Sequence, residues 1–213
     1  MGLVSEKDKE YLKKLFREKL VNEMKILIFT HETECHYCKE TKELVNEIAT
    51  TSDKVKVEIY DIIKNNDKAK EYNIDKVPAI VLISRKDYGI RFYGIPSGYE
   101  FASLIEGVVD VSRGATNLSE KTKNQLKSIN KPLHIQVFVT PTCPYCPRAV
   151  RLAHQFAIEN DFVRADMVEV SEFPELAEKY DIMSVPKIVI NDKIDFVGAL
   201  PEEHFLEHVL MAL

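Results

Sequence analysis

Two Cys-x-x-Cys pairs, each followed by a proline 40 residues beyond its second cysteine, recur along this chain at one offset of 108 residues. Cys35, Cys38 and Pro78 in the first copy correspond to Cys143, Cys146 and Pro186 in the second. Three landmarks at one offset mark an internal duplication, and it divides the 213 residues into two units, each large enough to bury its own core. The surrounding text agrees. Lys70-Glu71-Tyr72-Asn73-Ile74 before Val77-Pro78 matches Glu178-Lys179-Tyr180-Asp181-Ile182 before Val185-Pro186. Further on, Phe92-Tyr93-Gly94 matches Phe196-Val197-Gly198 at an offset of 104, so the second copy has lost four residues after its proline. Ser84–Gly89 and Asn191–Lys193 both read as turns between apolar strands, and a surface connection is where such a loss is expected.

Ser5 and Ser119 each stand at a helix start, where a hydroxyl can accept a first-turn N–H. Hydrophobic spacing then predicts helix 5–21, strand 25–30, helix 37–50, strand 55–60, helix 67–73, strands 78–84 and 90–94, and helix 97–111. The second unit reads helix 119–129, strand 133–139, helix 146–160, strand 164–170, helix 174–181, strands 187–191 and 194–198, and helix 201–212. Strand runs such as Ile26-Leu27-Ile28-Phe29 are continuous rather than alternating, which predicts a sheet covered by helices on both faces. The expected architecture is an α/β sandwich, twice. The polar stretch 112–117 lacks periodicity and places the boundary between residues 1–115 and 116–213.

Each cysteine pair follows a buried strand and opens a helix. A helix N-terminus stabilises negative charge through its free N–H groups and dipole, and a thiolate is the species that attacks a disulfide. Cys35 and Cys143 are therefore the candidate nucleophiles. Cys38 and Cys146, three residues on, are placed to resolve the mixed disulfide that results. Two other readings stand beside this one. A lone cysteine is commonly inert core packing, and two Cys-x-x-Cys pairs supply four thiolates for structural zinc, although the wide separation of these pairs is unlike such sites. Pro78 and Pro186 read either as turn residues opening a strand or as cis prolines.

Net charge −5 provides no basic footprint for nucleic acid. The longest apolar runs are too short to span a bilayer, and the N-terminal sequence lacks a signal-peptide core, so a cytoplasmic location is expected. Glu and Lys far outnumber Asn and Gln, a bias found in hyperthermophile proteins.

Through the Cys-x-x-Cys, Val-Pro and late Gly of each half, the chain resembles the thioredoxin superfamily. As a whole, with CPYC in its second unit, it resembles the two-domain protein disulfide oxidoreductases, or glutaredoxin-like proteins, of hyperthermophilic archaea and bacteria. The resemblance implies two tandem thioredoxin-like units, each with an extra N-terminal helix and a central mixed sheet. It implies cis bonds at Val77-Pro78 and Val185-Pro186, with the valine backbone binding an extended substrate strand. It further implies intracellular exchange with protein disulfides, redox-active disulfides with no other cofactor or metal, and a flavoprotein of the thioredoxin-reductase kind as electron donor. The departures are a complete lack of Trp, and Phe29 and Val137 where a buried acid is often found in thioredoxins. No proton acceptor for the resolving cysteines is legible. CPYC also raises glutathione as a reductant. Pro144 in one centre and His36 in the other predict that the two differ in reduction potential.

Overall fold

Both units begin as their caps dictate. Ser5 Oγ accepts the Asp8 N–H at 3.1 Å and Ser119 Oγ accepts the Thr122 N–H at 3.2 Å, fixing the starts of α1 (Glu6–Lys19) and α5 (Glu120–Lys127). The computed structural model describes residues 2–213. After α1 come β1 (Met24–Thr30), α2 (Cys38–Ala49), β2 (Val55–Asp61), α3 (Asn66–Glu71), β3 (Ala79–Ile83), β4 (Asp87–Tyr93) and α4 (Glu100–Arg113). After α5 come β5 (Leu133–Val139), α6 (Cys146–Glu159), β6 (Val163–Glu169), a 3-10 turn at Val170–Glu172, α7 (Pro174–Lys179), β7 (Lys187–Ile190), β8 (Ile194–Val197) and α8 (Glu202–Met211).

The two units share one eight-stranded sheet in the order β2-β1-β3-β4-β6-β5-β7-β8. The seam is parallel pairing of β4 with β6, running from Ile90 opposite Ala165 to Tyr93 opposite Val168. Burial explains which strand is internal. Along β4, Ile90, Phe92 and Tyr93 are all fully buried, whereas β8 leaves Asp195 and Val197 exposed and remains an edge. The repeat alone contains no sign of this merger.

The helices divide unequally between the faces. Side chains of α1, α2, α4, α5, α6 and α8 pack into one large core, including Phe16, Val45, Val108, Leu126, Phe156 and Phe205. A smaller cluster beneath α3 and α7 holds Leu27, Phe29, Ala69, Phe138 and Phe173.

Two expectations need correcting. Three residues connect the hairpin strands in both units, 84–86 and 191–193. The four missing residues therefore come from the strands, because β4 is a long internal strand and β8 a short edge, the form in which edges resist further pairing. Ser112 and Arg113 are also helical rather than linker. Ser112 Oγ accepts the Val21 and Asn22 N–H groups at 3.0 Å each, and α4 ends at Gly114 with φ +61°. A Cβ at Gly114 would run into the Tyr88 hydroxyl.

Candidate active site

β1 and β5 deliver the cysteine pairs to the same end of the sheet, since β1, β4, β6 and β5 all run in the same direction. α2 and α6 also lie on the same face. In the first centre His31 Nδ1 accepts the Glu34 N–H at 2.9 Å and shapes the loop. In the second the Cys143 N–H donates to the Thr140 carbonyl at 3.2 Å. Each pair is closed as a disulfide, Cys35–Cys38 and Cys143–Cys146, with 5.5 Å between Cα atoms. No group of three or more His, Cys, Asp or Glu side chains is gathered for a metal among the described residues.

Exposure differs within each pair. Cys35 is half-buried and Cys38 buried, while Cys143 retains 8% exposure and Cys146 none. The first cysteine of each pair is thus the more accessible to an incoming disulfide. At the second centre the Cys146 N–H points at Cys143 Sγ, 3.1 Å away. That donor stabilises a thiolate on Cys143 when the pair is reduced. Pro147 sits in the first turn of α6, where an N–H has no intrahelical partner to lose. His36 is exposed.

The Val77–Pro78 and Val185–Pro186 peptide bonds are both cis. Pro78 and Pro186 are tied to their late glycines through the Gly94 and Gly198 N–H groups, at 2.9 and 2.8 Å. Val77 and Pro78 line one cavity with Cys35. Val185 packs on the core cluster that contains Cys143 and Cys146.

Phe29 and Val137 are buried and apolar, so neither β1 nor β5 brings an acid to its centre. Sequence reasoning missed two acids with raised pKa values, one at the start of α4 and one lining the cavity of the first centre. Glu100 is 1% exposed, neither carboxylate oxygen has a hydrogen-bond partner, and burial pushes its pKa up to about 7. It begins α4, directly after Tyr99, whose N–H donates to the Pro141 carbonyl of the second centre's loop at 3.0 Å. α4 and α6 lie side by side through Glu106 with Arg151 at 2.9 Å and Asp110 with Gln155 at 3.0 Å. The two pairs keep one offset of 45 residues, so the helices run parallel, and α4 and α6 begin, at Glu100 and Cys146, on the same side of this contact. The second acid, Glu172, accepts the Ile95 N–H at 2.7 Å. Burial, opposed by that hydrogen bond, raises it also to about 7. It lines the cavity that holds Cys35. In the sequence Glu100 falls in the first turn of a helix and Glu172 between a strand and a helix, and neither local pattern shows that Glu100 is buried and Glu172 partly so.

The thioredoxin-domain family model matches residues 24–106 and again 133–211. A protein disulfide oxidoreductase from Aeropyrum pernix superposes with a TM-score of 0.90 at 34% identity, covering 96% of this chain and 91% of that one. The alkylhydroperoxide reductase AhpF of Enterococcus faecalis gives 0.89 at 30% identity, covering 97% and 99%. Among curated relatives, a NADH dehydrogenase of Bacillus subtilis is 26% identical over 168 residues, 79% of this chain and 31% of its own. An alkyl hydroperoxide reductase polypeptide of Staphylococcus epidermidis is 30% identical over 153 residues, 71% of this chain and 27% of its own. The chain thus spans less than a third of the length of these curated relatives.

The chain belongs to the thioredoxin-domain family, with that domain present twice. Its two closed Cys-x-x-Cys pairs, each at a helix start, make it a two-centre thiol–disulfide oxidoreductase.

Proposed function

We propose that the chain exchanges dithiols with protein disulfides, with Cys35 and Cys143 attacking and Cys38 and Cys146 resolving. The observation that carries this assignment is the unequal exposure within each pair. In the reductive direction a Cys143 thiolate attacks one substrate sulfur, the substrate S–S bond breaks, and the departing thiolate takes a proton. Cys146, once deprotonated, attacks Cys143 Sγ, closing the internal disulfide and releasing the second substrate thiol. Two electrons and two protons pass to the substrate. The oxidative direction is the reverse, and isomerisation combines the two.

In this reading the Val77–Pro78 and Val185–Pro186 backbones receive an extended substrate strand. Glu100 accepts the proton of Cys146, supplying from the first unit the acid that β5 lacks; a carboxyl held near 7 is suited to proton exchange at neutral pH. The functional units are residues 1–115 and 116–213, with a flavoprotein reductase as electron donor and the two disulfides as the redox groups. The cytoplasmic setting rests on the resemblance to oxidoreductases that work inside the cell. Among the described residues, no helix is long and apolar enough to cross a membrane. The likeness to the Aeropyrum pernix protein and the Glu and Lys bias support a hyperthermophilic source.

Reduction of insulin disulfides, with dithiothreitol as electron source, tests the assignment. Cys143→Ser is expected to remove most activity, Cys35→Ser less, and the double variant all of it. Wild-type turnover no faster than dithiothreitol alone would sink the reading. A second reading, a carrier between a flavin-dependent reductase and a peroxidase, draws on the match to a hydroperoxide reductase over nearly the whole of both chains. It predicts turnover with a peroxidase partner and little with insulin.

A further inference from the structure

The seam between the units is head-to-tail, so the two redox centres have different surroundings. β6 beside β4 carries the 3-10 turn Val170–Glu172 and the start of α7 over the Pro78 side of the first centre. Two equivalent glycines report the asymmetry. A Cβ on Gly94 would meet Glu169 Cβ at 2.7 Å and Glu172 Oε1 at 2.8 Å, whereas one on Gly198 would meet nothing within 4 Å. The first centre is walled by the second unit, and the second centre has no unit beyond β8 to wall it.

That wall closes a cavity of about 390 Å³ against Cys35, Tyr37, Val77 and Pro78. It is large enough for a long side chain of a bound strand. The acids on its lining are Glu34, next to the reactive cysteine, and Glu172; the one basic side chain there is His36, and no Lys or Arg lines it. Glu172 Oε1 is taken by the Ile95 N–H. Among the described residues Glu172 forms no ion pair, and no hydrogen bond reaches its Oε2. A partly buried carboxylate that lines the cavity of the reactive cysteine, with no lysine or arginine of its own, is complementary to a cation that the substrate brings. The second centre has Thr142 in the position of Glu34 and no counterpart of Glu172.

We propose that Glu172 is a specificity-determining residue of the first redox centre, receiving a lysine or arginine side chain carried beside the target cysteine of the substrate. The proposal rests on the thiol–disulfide exchange reading above and assigns the two centres different clienteles: cation-flanked cysteines to the first, no charge preference to the second.

The test uses the whole 213-residue chain with Cys143→Ser and Cys146→Ser, which isolates the first centre. Three peptide disulfides differ only in having Lys, Gln or Glu before the cysteine, and kcat/KM is measured for each at low ionic strength and at a pH about one unit above the Glu172 pKa of about 7, where the carboxylate is charged. The Lys peptide is expected to exceed the Glu peptide by about 10-fold, with a gap that shrinks as salt is added. Glu172→Gln should bring the two within about twofold of each other. A Lys-to-Glu ratio unchanged by Glu172→Gln overturns the proposal, as does a ratio near one in the parent. A general folding defect lowers all three peptides together and leaves the ratio alone, so it cannot imitate the expected result. Failure of the parent reading looks different: the Gln peptide would then react no faster than with Cys35→Ser added.

Discussion

His154 and Glu100 are both buried ionisable groups with no hydrogen-bond partner for their side-chain polar atoms, and they bias stability in opposite directions. His154 lies on α6 against Phe92, ring centroids 4.8 Å apart and edge-on, and burial lowers its pKa to about 4. The unfolded chain takes up that proton near pH ~6.5. Stability attributable to this residue therefore falls as the pH drops from the unfolded value toward about 4, by about 3 kcal/mol in all. Glu100 is raised, so its contribution is present below the ordinary Glu range and lost as pH rises through about 7. Denaturant titrations between pH 4.5 and 6.5 on the wild type and His154→Leu isolate the histidine: the variant should lose less stability on acidification. Parallel curves would show that His154 finds a partner in solution. Glu100 has a functional prediction as well. Glu100→Gln should slow exchange at the second centre on the order of 10²-fold and remove its inflection near pH 7, measured in a Cys35→Ser, Cys38→Ser background. Equal pH profiles for the variant and its parent would return the proton-acceptor role to water.

Between β4 and α4 the chain makes the close contact on which the second centre depends. Gly98 has φ +59°, and a Cβ there would overlap the Pro141 carbonyl oxygen, one turn of chain from Cys143. Gly98→Ala is expected to cost about 1–2 kcal/mol for the left-handed backbone alone, and more as the 140–143 loop is pushed aside. Alkylation of the reduced protein, followed by mass spectrometry, should show an altered Cys143 rate and an unaltered Cys35 rate; equal changes at both would place the effect in global stability. At this scale the sequence was informative wherever the cause is local. Ser5 and Ser119 cap the helices they announce, the cysteine pairs open α2 and α6, and the strands lie within a few residues of their expected positions. It was silent where the cause is distant. Ser112 looks like linker until Val21 and Asn22 turn their N–H groups onto it. Arg91 would argue against a buried strand, yet it is buried in β4 because Asp87, four residues earlier, pairs with it at 2.6 Å and the Tyr72 carbonyl takes two more of its N–H groups. Nothing in the local pattern of β4 or β6 shows that they will pair.

A duplicated sequence invites the expectation of two independently melting bodies, and the seam argues against it. Ile90, Phe92, Tyr93, Ala165, Met167 and Val168 are all fully buried along it. Separating the units would expose this apolar surface together with an unpaired strand edge on each side, the condition that favours aggregation. A polar network crosses the same line. Arg164 donates to the Tyr93 hydroxyl at 2.8 Å and to the Asn73 carbonyl at 3.0 Å, while its Nε holds Asp166 at 2.9 Å. Burial works to raise the pKa of Asp166, but His134 and Arg164 prevail and hold its carboxyl well below the usual range. Asp166 therefore keeps its charge across the range in which ordinary carboxylates titrate. Removing Arg164 leaves a buried carboxylate short of a partner, whereas removing the Phe92 ring opens a cavity shared by both units, at a cost of about 3–5 kcal/mol. If the molecule is one cooperative body, Phe92→Ala should lower the protection of α2 and α6 together. Native-state hydrogen exchange in rising denaturant is the measurement, since it reports each helix separately. The expected outcome is that amides of Val45 and Val150 merge into one opening isotherm, in the wild type and, at lower denaturant, in the variant. Two isotherms, with the second unit persisting after the first has opened, would mean that the continuous sheet is a contact between domains. The wall around the first redox centre would then open and close with local unfolding, whereas a single isotherm makes that wall a permanent part of the site.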